Sequence, residues 1–208
     1  MTIARMMAAQ LREPSGIAGR LIMGGFFDRT SRRINEHTLD ALEIESGESV
    51  LEVGFGGGAA LESAAARAKE GTVVGVELSS VMVRRAERKC RRLVRQGRVR
   101  LYEGNVSDLP FDAGQFDRAY AVNTIYFWAD PTGALREIRR VLKENGRLVL
   151  AIRSPEALAP YRFPEDILPA PKPGEVEASL QAAGFHAVRM EHRDRDQKLD
   201  TVLAIAHA

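Results

Sequence analysis

The sequence has little of what disulfide-bonded, secreted or membrane proteins depend on. Among its 208 residues Cys90 is the single cysteine, so no intrachain disulfide can form, and we interpret it as a small core residue of a helix. No apolar run approaches the roughly 18 residues that a membrane-spanning helix needs. Arg5 and Arg12 interrupt the apolar residues at the start, so we predict neither a signal peptide nor a membrane span and expect a cytoplasmic protein.

Aromatic residues and net charge are also scarce. Aromatic side chains make up 6% of the chain, and the formal net charge is only +2, which by itself favours no class of partner. Basic residues nevertheless concentrate in a predicted helix over residues 79–96 and continue to Arg100. Residues 84–100, the arginine-rich segment, could form a nucleic-acid surface, but no aromatic residues alternate with the arginines to stack on bases. We therefore expect a solvated helix face and no nucleic-acid partner.

The glycine-rich stretch over residues 49–58 is the strongest local signal in the sequence. Its apolar start predicts a short buried strand, and four glycines then predict a tight turn before an Ala-rich helix. Glycine suits such a turn because a nucleotide-like ligand can approach the backbone where no Cβ is present. Gly54, Gly56 and Ala59 also fit the dinucleotide fingerprint, so the glycines alone do not separate NAD from another adenosine cofactor.

Two carboxylates at the ends of neighbouring predicted strands narrow that choice. Glu52 ends the first strand, where a negative charge would oppose a pyrophosphate but would suit the sulfonium and ammonium groups of S-adenosylmethionine. Glu77 ends the next strand, 19 residues after Gly58. That is close to the spacing of about 20 residues at which an acidic side chain meets ribose hydroxyls. The pair favours an adenosine cofactor that carries no phosphate.

The run Glu-x-Gly-x-Gly-x-Gly over residues 52–58, with Glu77 ending the next strand, resembles the first two motifs of class I S-adenosylmethionine-dependent methyltransferases. The resemblance covers residues 45–208 and implies S-adenosylmethionine as cofactor and S-adenosylhomocysteine as product. It also implies that Asn105, where the family often has Asp, and Val106 reach the adenine edge. The predicted cofactor-binding residues are Glu52, Gly54, Phe55, Gly56, Gly58, Glu77, Leu78, Asn105, Val106 and Asn123.

The order of the predicted elements indicates an α/β fold. Strands alternate with helices through most of the chain, which predicts a doubly wound, mostly parallel sheet with helices on both faces. The family resemblance implies seven strands in a Rossmann-like methyltransferase sheet that ends in an antiparallel hairpin. Because the carboxyl ends of parallel strands share one edge, Glu52, Glu77, Asn105 and Asn123 are expected to line one crevice.

The segment after the fourth predicted strand indicates the class of acceptor. Residues 123–126, Asn-Thr-Ile-Tyr, differ from the D/N/S-P-P-aromatic run of methyltransferases that act on exocyclic amines of bases or on glutamine amides. The segment looks more like the type-11 group, related to the C-methyltransferases of ubiquinone and menaquinone synthesis, which implies a small-molecule methyl acceptor. Tyr126 and Trp128 are candidate acceptor contacts, whereas Phe127 is predicted to pack in the core.

We predict a single methyltransferase domain over residues 1–208. Residues 1–45 form a helical cap in this prediction, and residues 46–208 form the cofactor-binding core. Six prolines within residues 154–174 predict a lid with no regular helix. Tyr161 in this lid is a further candidate acceptor contact.

The sequence leaves the accepting atom, the catalytic residues and the oligomeric state open. His37, Tyr126 and Tyr161 are candidate general bases, none preferred, and no metal-binding residue is assigned. Three alternatives also stay open. The chain could be an RNA methyltransferase that uses the arginine-rich segment, a non-catalytic module that binds an adenosine ligand or a dinucleotide, or a relative that transfers aminopropyl groups.

Overall fold

The computed structural model describes residues 27–161, 171–193 and 200–208. The strands within these residues are β1 (Ser49–Val53), β2 (Thr72–Glu77), β3 (Val99–Glu103), β4 (Phe116–Val122), β5 (Leu142–Arg153), β6 (His186–Arg193) and β7 (Thr201–His207). The helices are α1 (Phe27–Leu42), α2 (Leu61–Arg67), α3 (Ser80–Lys89), α4 (Arg91–Arg95), α5 (Pro131–Val141), α6 (Pro155–Leu158) and α7 (Pro173–Ala182). Short 3₁₀ turns cover Ile125–Phe127 and Ala159–Tyr161.

The strands form one sheet in the order β3-β2-β1-β4-β5-β7-β6. Strands β1 to β5 are parallel, and β7 runs antiparallel to both β5 and β6. The predicted mostly parallel, doubly wound sheet with a C-terminal antiparallel hairpin is therefore confirmed. Strand order reverses between β1 and β4, so a crevice opens there at the carboxyl ends of the strands.

The sheet is covered on both faces, which is why its central strands are almost continuously apolar. One core layer joins the sheet to α1, α2 and α3, and the other joins it to α5 and α7. Cys90 is buried in the first layer, in agreement with its interpretation as a core residue. No helix in the described ranges is long and apolar enough to cross a membrane.

Helix α1 lies against the sheet, where it packs on β4, β5 and β7. It begins at Phe27, inside the predicted helical cap. Ile34, Leu39 and Leu42 form its buried stripe, and the Thr38 hydroxyl donates to the carbonyl of Ile34. The predicted cap over residues 1–45 is thus, in its second half, part of the core, while residues 1–26 lie outside the described residues.

The predicted continuous helix over residues 79–96 is wrong in one respect. It divides at Cys90, whose backbone leaves the helical region, into α3 and α4. One arginine of the arginine-rich segment lies beyond both helices and is engaged by the protein itself. The guanidinium of Arg98 donates to the backbone carbonyls of Ala65, Ala68 and Gly71, and so ties the end of α2 to the start of β3. Arg98 is a structural residue.

The Pro-rich segment contains regular helix, contrary to prediction. Helix α6 begins at Pro155 after Ser154, whose hydroxyl accepts from the backbone N–H of Ala157. Helix α7 begins at Pro173, also within the predicted lid. Proline is tolerated at the first helical position because the N–H that it lacks would have no partner within the helix. Residues 162–170 of the predicted lid lie outside the described residues.

Candidate active site

A cavity of about 670 Å³ opens at the carboxyl ends of β1 to β5. Its size is within the range that small-molecule sites occupy. The structure brings nine of the ten predicted cofactor-binding residues into its lining, and Tyr126 and Trp128 also line it. The nine are Glu52, Gly54, Phe55, Gly56, Glu77, Leu78, Asn105, Val106 and Asn123.

Glu77 holds two loops together at the end of β2. Its Oε2 accepts from the backbone N–H of Gly56 and its Oε1 from that of Ser79, both at 2.9 Å. Each carboxylate oxygen retains a lone pair for a ligand. The carboxylate is therefore fixed in orientation at the cavity before any ligand enters, as recognition of a ribose diol requires.

The turn after β1 lets the cavity reach the backbone. A Cβ on Gly56 would meet no atom within 4 Å, so this backbone faces open space. Gly54 has φ +72° and donates its N–H to the carbonyl of Val76, and a Cβ there would overlap the Thr124 side chain. A flat adenosine ligand can thus lie against the turn without meeting a side chain.

Gly54→Ala is expected to lower the free energy of unfolding by roughly 2 kcal/mol, because alanine resists the left-handed backbone and overlaps Thr124. Urea unfolding with an unchanged m-value would measure the loss. Gly47→Ala is the matched control, since a Cβ at Gly47 meets nothing within 4 Å. Equal stability of the two variants would contradict this account.

Gly58, the tenth predicted residue, is not among the residues that line the cavity. A Cβ there would lie 2.9 Å from the Cβ of Ala86, so the missing side chain lets α3 pack closely on the turn. Its glycine is explained by this helix packing and by its φ of +76°. At Gly75 in β2, a Cβ would overlap the ring of Phe55 in the turn after β1.

Glu52 brings a buried carboxyl group to the cavity. The residue is 4% exposed, and its Oε2 accepts from the Tyr120 hydroxyl at 2.7 Å. The pKa of Glu52 is raised to about 7, mainly by burial; the Tyr120 hydrogen bond opposes the rise, and the nearby Glu77 carboxylate adds to it. The full negative charge assumed from the sequence is therefore only partial at neutral pH. A cation bound beside it would favour the ionised form.

The two ends of the cavity differ in chemistry. Beside Glu77, the Leu78 side chain is 62% exposed and offers an apolar surface, and Asn105 and Val106 follow on the next strand end. The Asn105 Oδ1 accepts from the backbone N–H of Ser107 at 3.0 Å, so one of its two lone pairs is already used. This end suits a flat base with a polar edge.

The other end is formed by the segment after β4. Asn123 has φ +55°, an uncommon conformation for a residue other than glycine, and its Oδ1 accepts from the Tyr126 hydroxyl at 3.2 Å. The Tyr126 hydroxyl also accepts from the backbone N–H of Arg153 at 2.6 Å. Phe127 and Trp128 complete this side, and both pack partly on the core.

The three candidate general bases differ in where they lie relative to the cavity. His37 is not among the residues that line the cavity. Burial raises the pKa of Tyr126 well above its usual range, and its hydroxyl is already hydrogen-bonded on both sides, which argues against a proton-accepting role. The side chain of Tyr161 lies outside the described residues. No group of His, Cys, Asp and Glu within the described ranges could hold a metal ion.

Sequence reasoning missed two buried polar residues of the cavity, Asn35 on α1 and Arg153 at the end of β5. Arg153 could have been found by the rule that identified Glu52 and Glu77, because it too ends a buried parallel strand. Asn35 had no such signal, since one polar residue on a helical face does not reveal what lies opposite.

Comparison with known proteins gives consistent results. The family described as "Methyltransferase domain" matches residues 51–150. A relative in Bacillus subtilis, "Uncharacterized methyltransferase YdaC", is 29% identical over 84% of this chain and 91% of its own length. The nocamycin O-methyltransferase of Saccharothrix syringae is 30% identical over 88% of this chain and 76% of its own length.

A solved structure supports the fold. The crystal structure of a SAM-dependent methyltransferase from Aquifex aeolicus has a TM-score of 0.67 and 22% sequence identity, over 83% of this chain and 88% of that one. The sheet order, the strand-end cavity, the family match and the relatives all agree. The chain belongs to the class I S-adenosylmethionine-dependent methyltransferases, in the type-11 group, and S-adenosylmethionine is its cofactor.

Proposed function

We propose that this methyltransferase transfers the methyl group to a hydroxyl oxygen of a small-molecule acceptor. The observation that carries the small-molecule part of the proposal is the lining of the cavity. Besides the predicted cofactor-binding residues, Tyr126, Trp128 and Leu158 line it. Aromatic and apolar walls with few polar groups are typical of sites for small organic molecules.

The cofactor would occupy the part of the cavity from β2 to β4. Glu77 would accept hydrogen bonds from the ribose hydroxyls, and Leu78, Asn105 and Val106 would contact the adenine. Glu52 would face the cationic end, directly or through water, and Asn123 would lie between cofactor and acceptor. The bound cofactor would supply a methyl group on a sulfonium. As the acceptor oxygen bonds to the methyl carbon, the carbon–sulfur bond breaks, the sulfur leaves as a neutral thioether and the hydroxyl proton passes to solvent. The chain has to align the acceptor with it and exclude water.

An oxygen acceptor is supported by the names of the relatives. Besides the nocamycin enzyme, several fungal and actinobacterial relatives are named O-methyltransferases. The RNA alternative is less favoured, because Arg98 of the arginine-rich segment is engaged by backbone carbonyls. The exposed arginines of α3 and α4 have no aromatic neighbours among them.

The decisive test is methyl transfer from radiolabelled S-adenosylmethionine to a mixed panel of phenols, alcohols, amines, thiols and total RNA. We expect label in hydroxyl compounds, recovered as methyl ethers, and no label in RNA. Glu77→Ala serves as the cofactor-binding-deficient control. Label confined to RNA, or to nitrogen or sulfur compounds, would overturn the proposal. RNA binding that weakens steeply with salt concentration would also argue against the proposal, in favour of an RNA methyltransferase.

A further inference from the structure

Arg153 places a buried cation at the acceptor side of the cavity. It is the last residue of β5, only 6% exposed, and it lines the cavity beside Tyr126. No described residue forms an ion pair or hydrogen bond with its guanidinium. Arg147, on the same strand, differs in this respect. Its guanidinium pairs with Glu43 at 2.6 Å and donates to the carbonyl of Ala41 at 3.0 Å.

The Arg153 residue is mostly buried, but its guanidinium is not enclosed, because its nitrogens are not among the buried side-chain atoms that lack a partner. It therefore reaches the cavity without a counterion among the described residues. Glu77 is oriented by Gly56 and Ser79, and Glu52 is paired with Tyr120. The other cations in the lining, Arg85 and Lys89, belong to α3. An anion that enters with a ligand would give Arg153 a partner.

The position of Arg153 in the sheet places it away from the part of the cavity, from β2 to β4, that the cofactor would occupy. Strand β5 neighbours β4, is two strands from β1 and is three strands from β2. At about 4.8 Å per strand, it lies roughly 10 Å across the sheet from the strand of Glu52 and 14 Å from that of Glu77. Helix α6, which adds Leu158 to the cavity, follows directly.

We infer that Arg153 binds a carboxylate of the acceptor, so that the substrate of this enzyme is a hydroxylated carboxylic acid. The inference rests on the proposed function and specifies that the small-molecule acceptor carries a negative charge. A guanidinium matches a carboxylate with two parallel hydrogen bonds, and the buried site strengthens them. The carboxylate would hold the acceptor at one end while its hydroxyl faces the cofactor.

Binding to the protein saturated with S-adenosylhomocysteine tests this without turnover. The probes are 4-hydroxybenzoate, 3-hydroxybutyrate and 12-hydroxydodecanoate, each paired with its neutral primary amide. We expect at least one acid to bind tenfold or more tightly than its amide, and Arg153→Met to abolish that preference. Arg153→Lys should keep part of it, because it retains the charge but not the planar fork.

Arg147→Met is the matched control, since it removes a paired arginine from the same strand. It should lower the melting temperature and leave the acid preference intact. Arg153→Met should leave the melting temperature of the ligand-free protein close to that of wild type, because no described residue forms an ion pair or hydrogen bond with the guanidinium that it removes. This readout also shows that the variant folds.

The cofactor carries a carboxylate of its own, which Arg153 could bind instead of the acceptor's. A second binding experiment distinguishes these two roles of Arg153. If Arg153→Met weakens S-adenosylhomocysteine but not 5′-methylthioadenosine, which lacks the amino acid part, Arg153 serves the cofactor and the inference is overturned. Wild-type protein that binds no acid, or binds acids and amides equally, also overturns it. If the enzyme methylates neutral alcohols as well as it methylates hydroxy acids, the inference about Arg153 is overturned while the proposed function stands.

Discussion

Glu77→Ala is expected to weaken S-adenosylhomocysteine binding by about a hundredfold, because two charged hydrogen bonds to the ribose diol would be lost. The variant also removes the acceptor for the N–H groups of Gly56 and Ser79, so the turn loses its fixed orientation. Isothermal titration calorimetry measures the change directly. Glu77 is only half-buried, so the variant should still fold.

Glu103→Ala is the matched control for Glu77→Ala. Glu103 lies opposite Glu77 in the register of β2 and β3, is exposed, and does not line the cavity. The two substitutions change the net charge equally at neighbouring strand ends. A comparable loss of affinity in both variants would mean that charge near the strand ends matters, and that Glu77 makes no specific contact.

Glu52→Gln is expected to stabilise the ligand-free protein at alkaline pH. The folded-state pKa of Glu52, about 7, lies above the ordinary value of 4.5, so the folded state retains a proton that the unfolded state has released. The stability that this group contributes is therefore present below pH 4.5 and is lost as pH rises to 7. The loss amounts to about 3 kcal/mol, and glutamine, which does not ionise, avoids it.

Urea unfolding at pH 5 and pH 8 checks this prediction. The stability of Glu52→Gln relative to wild type should rise by roughly 2 to 3 kcal/mol between the two pH values. The Tyr120 hydroxyl can still donate to the glutamine oxygen, which isolates the effect of ionisation. Glu103→Gln, at an exposed position, should show no such change. A pH-independent difference for Glu52→Gln would contradict the raised pKa.

Glu52→Gln should also weaken the binding of S-adenosylmethionine. A cationic ligand beside Glu52 favours the ionised carboxylate, so wild-type protein should release about half a proton more than Glu52→Gln on binding S-adenosylmethionine at pH 7. Titrations in buffers of different ionisation enthalpy measure this difference. We expect affinity to rise with pH through 7 in wild type and to be at least tenfold lower in Glu52→Gln at pH 8. Equal proton release would place the cofactor's cationic end away from Glu52.

This opposition between stability and binding is typical of functional sites. Burial makes ionised Glu52 unfavourable in the free protein. In the proposed function, the cationic end of the cofactor offsets this cost.

Much of the fold and of the cofactor part of the site could be predicted from the sequence. The glycine turn, the strand-end acids Glu52 and Glu77 and the alternation of strands and helices follow from local patterns. The seven strands and the C-terminal hairpin were implied by the family resemblance, and the order of the strands came from the structure. Residues near the carboxyl ends of parallel strands lie at one edge of the sheet whatever packs elsewhere. Errors were local as well, at Cys90 and at Pro155, where a single residue decides whether a helix divides or begins.

Tertiary structure alone decided how individual side chains are used. The sequence by itself determined that Glu52 lies at a strand end, but its raised pKa depends on burial by residues distant in the chain. Arg98 and Arg153 are both arginines near buried strands, yet one is satisfied by three carbonyls and the other faces a cavity. Charge, solvation and hydrogen-bond partners are set by atoms brought together in folding, and no local pattern encodes them.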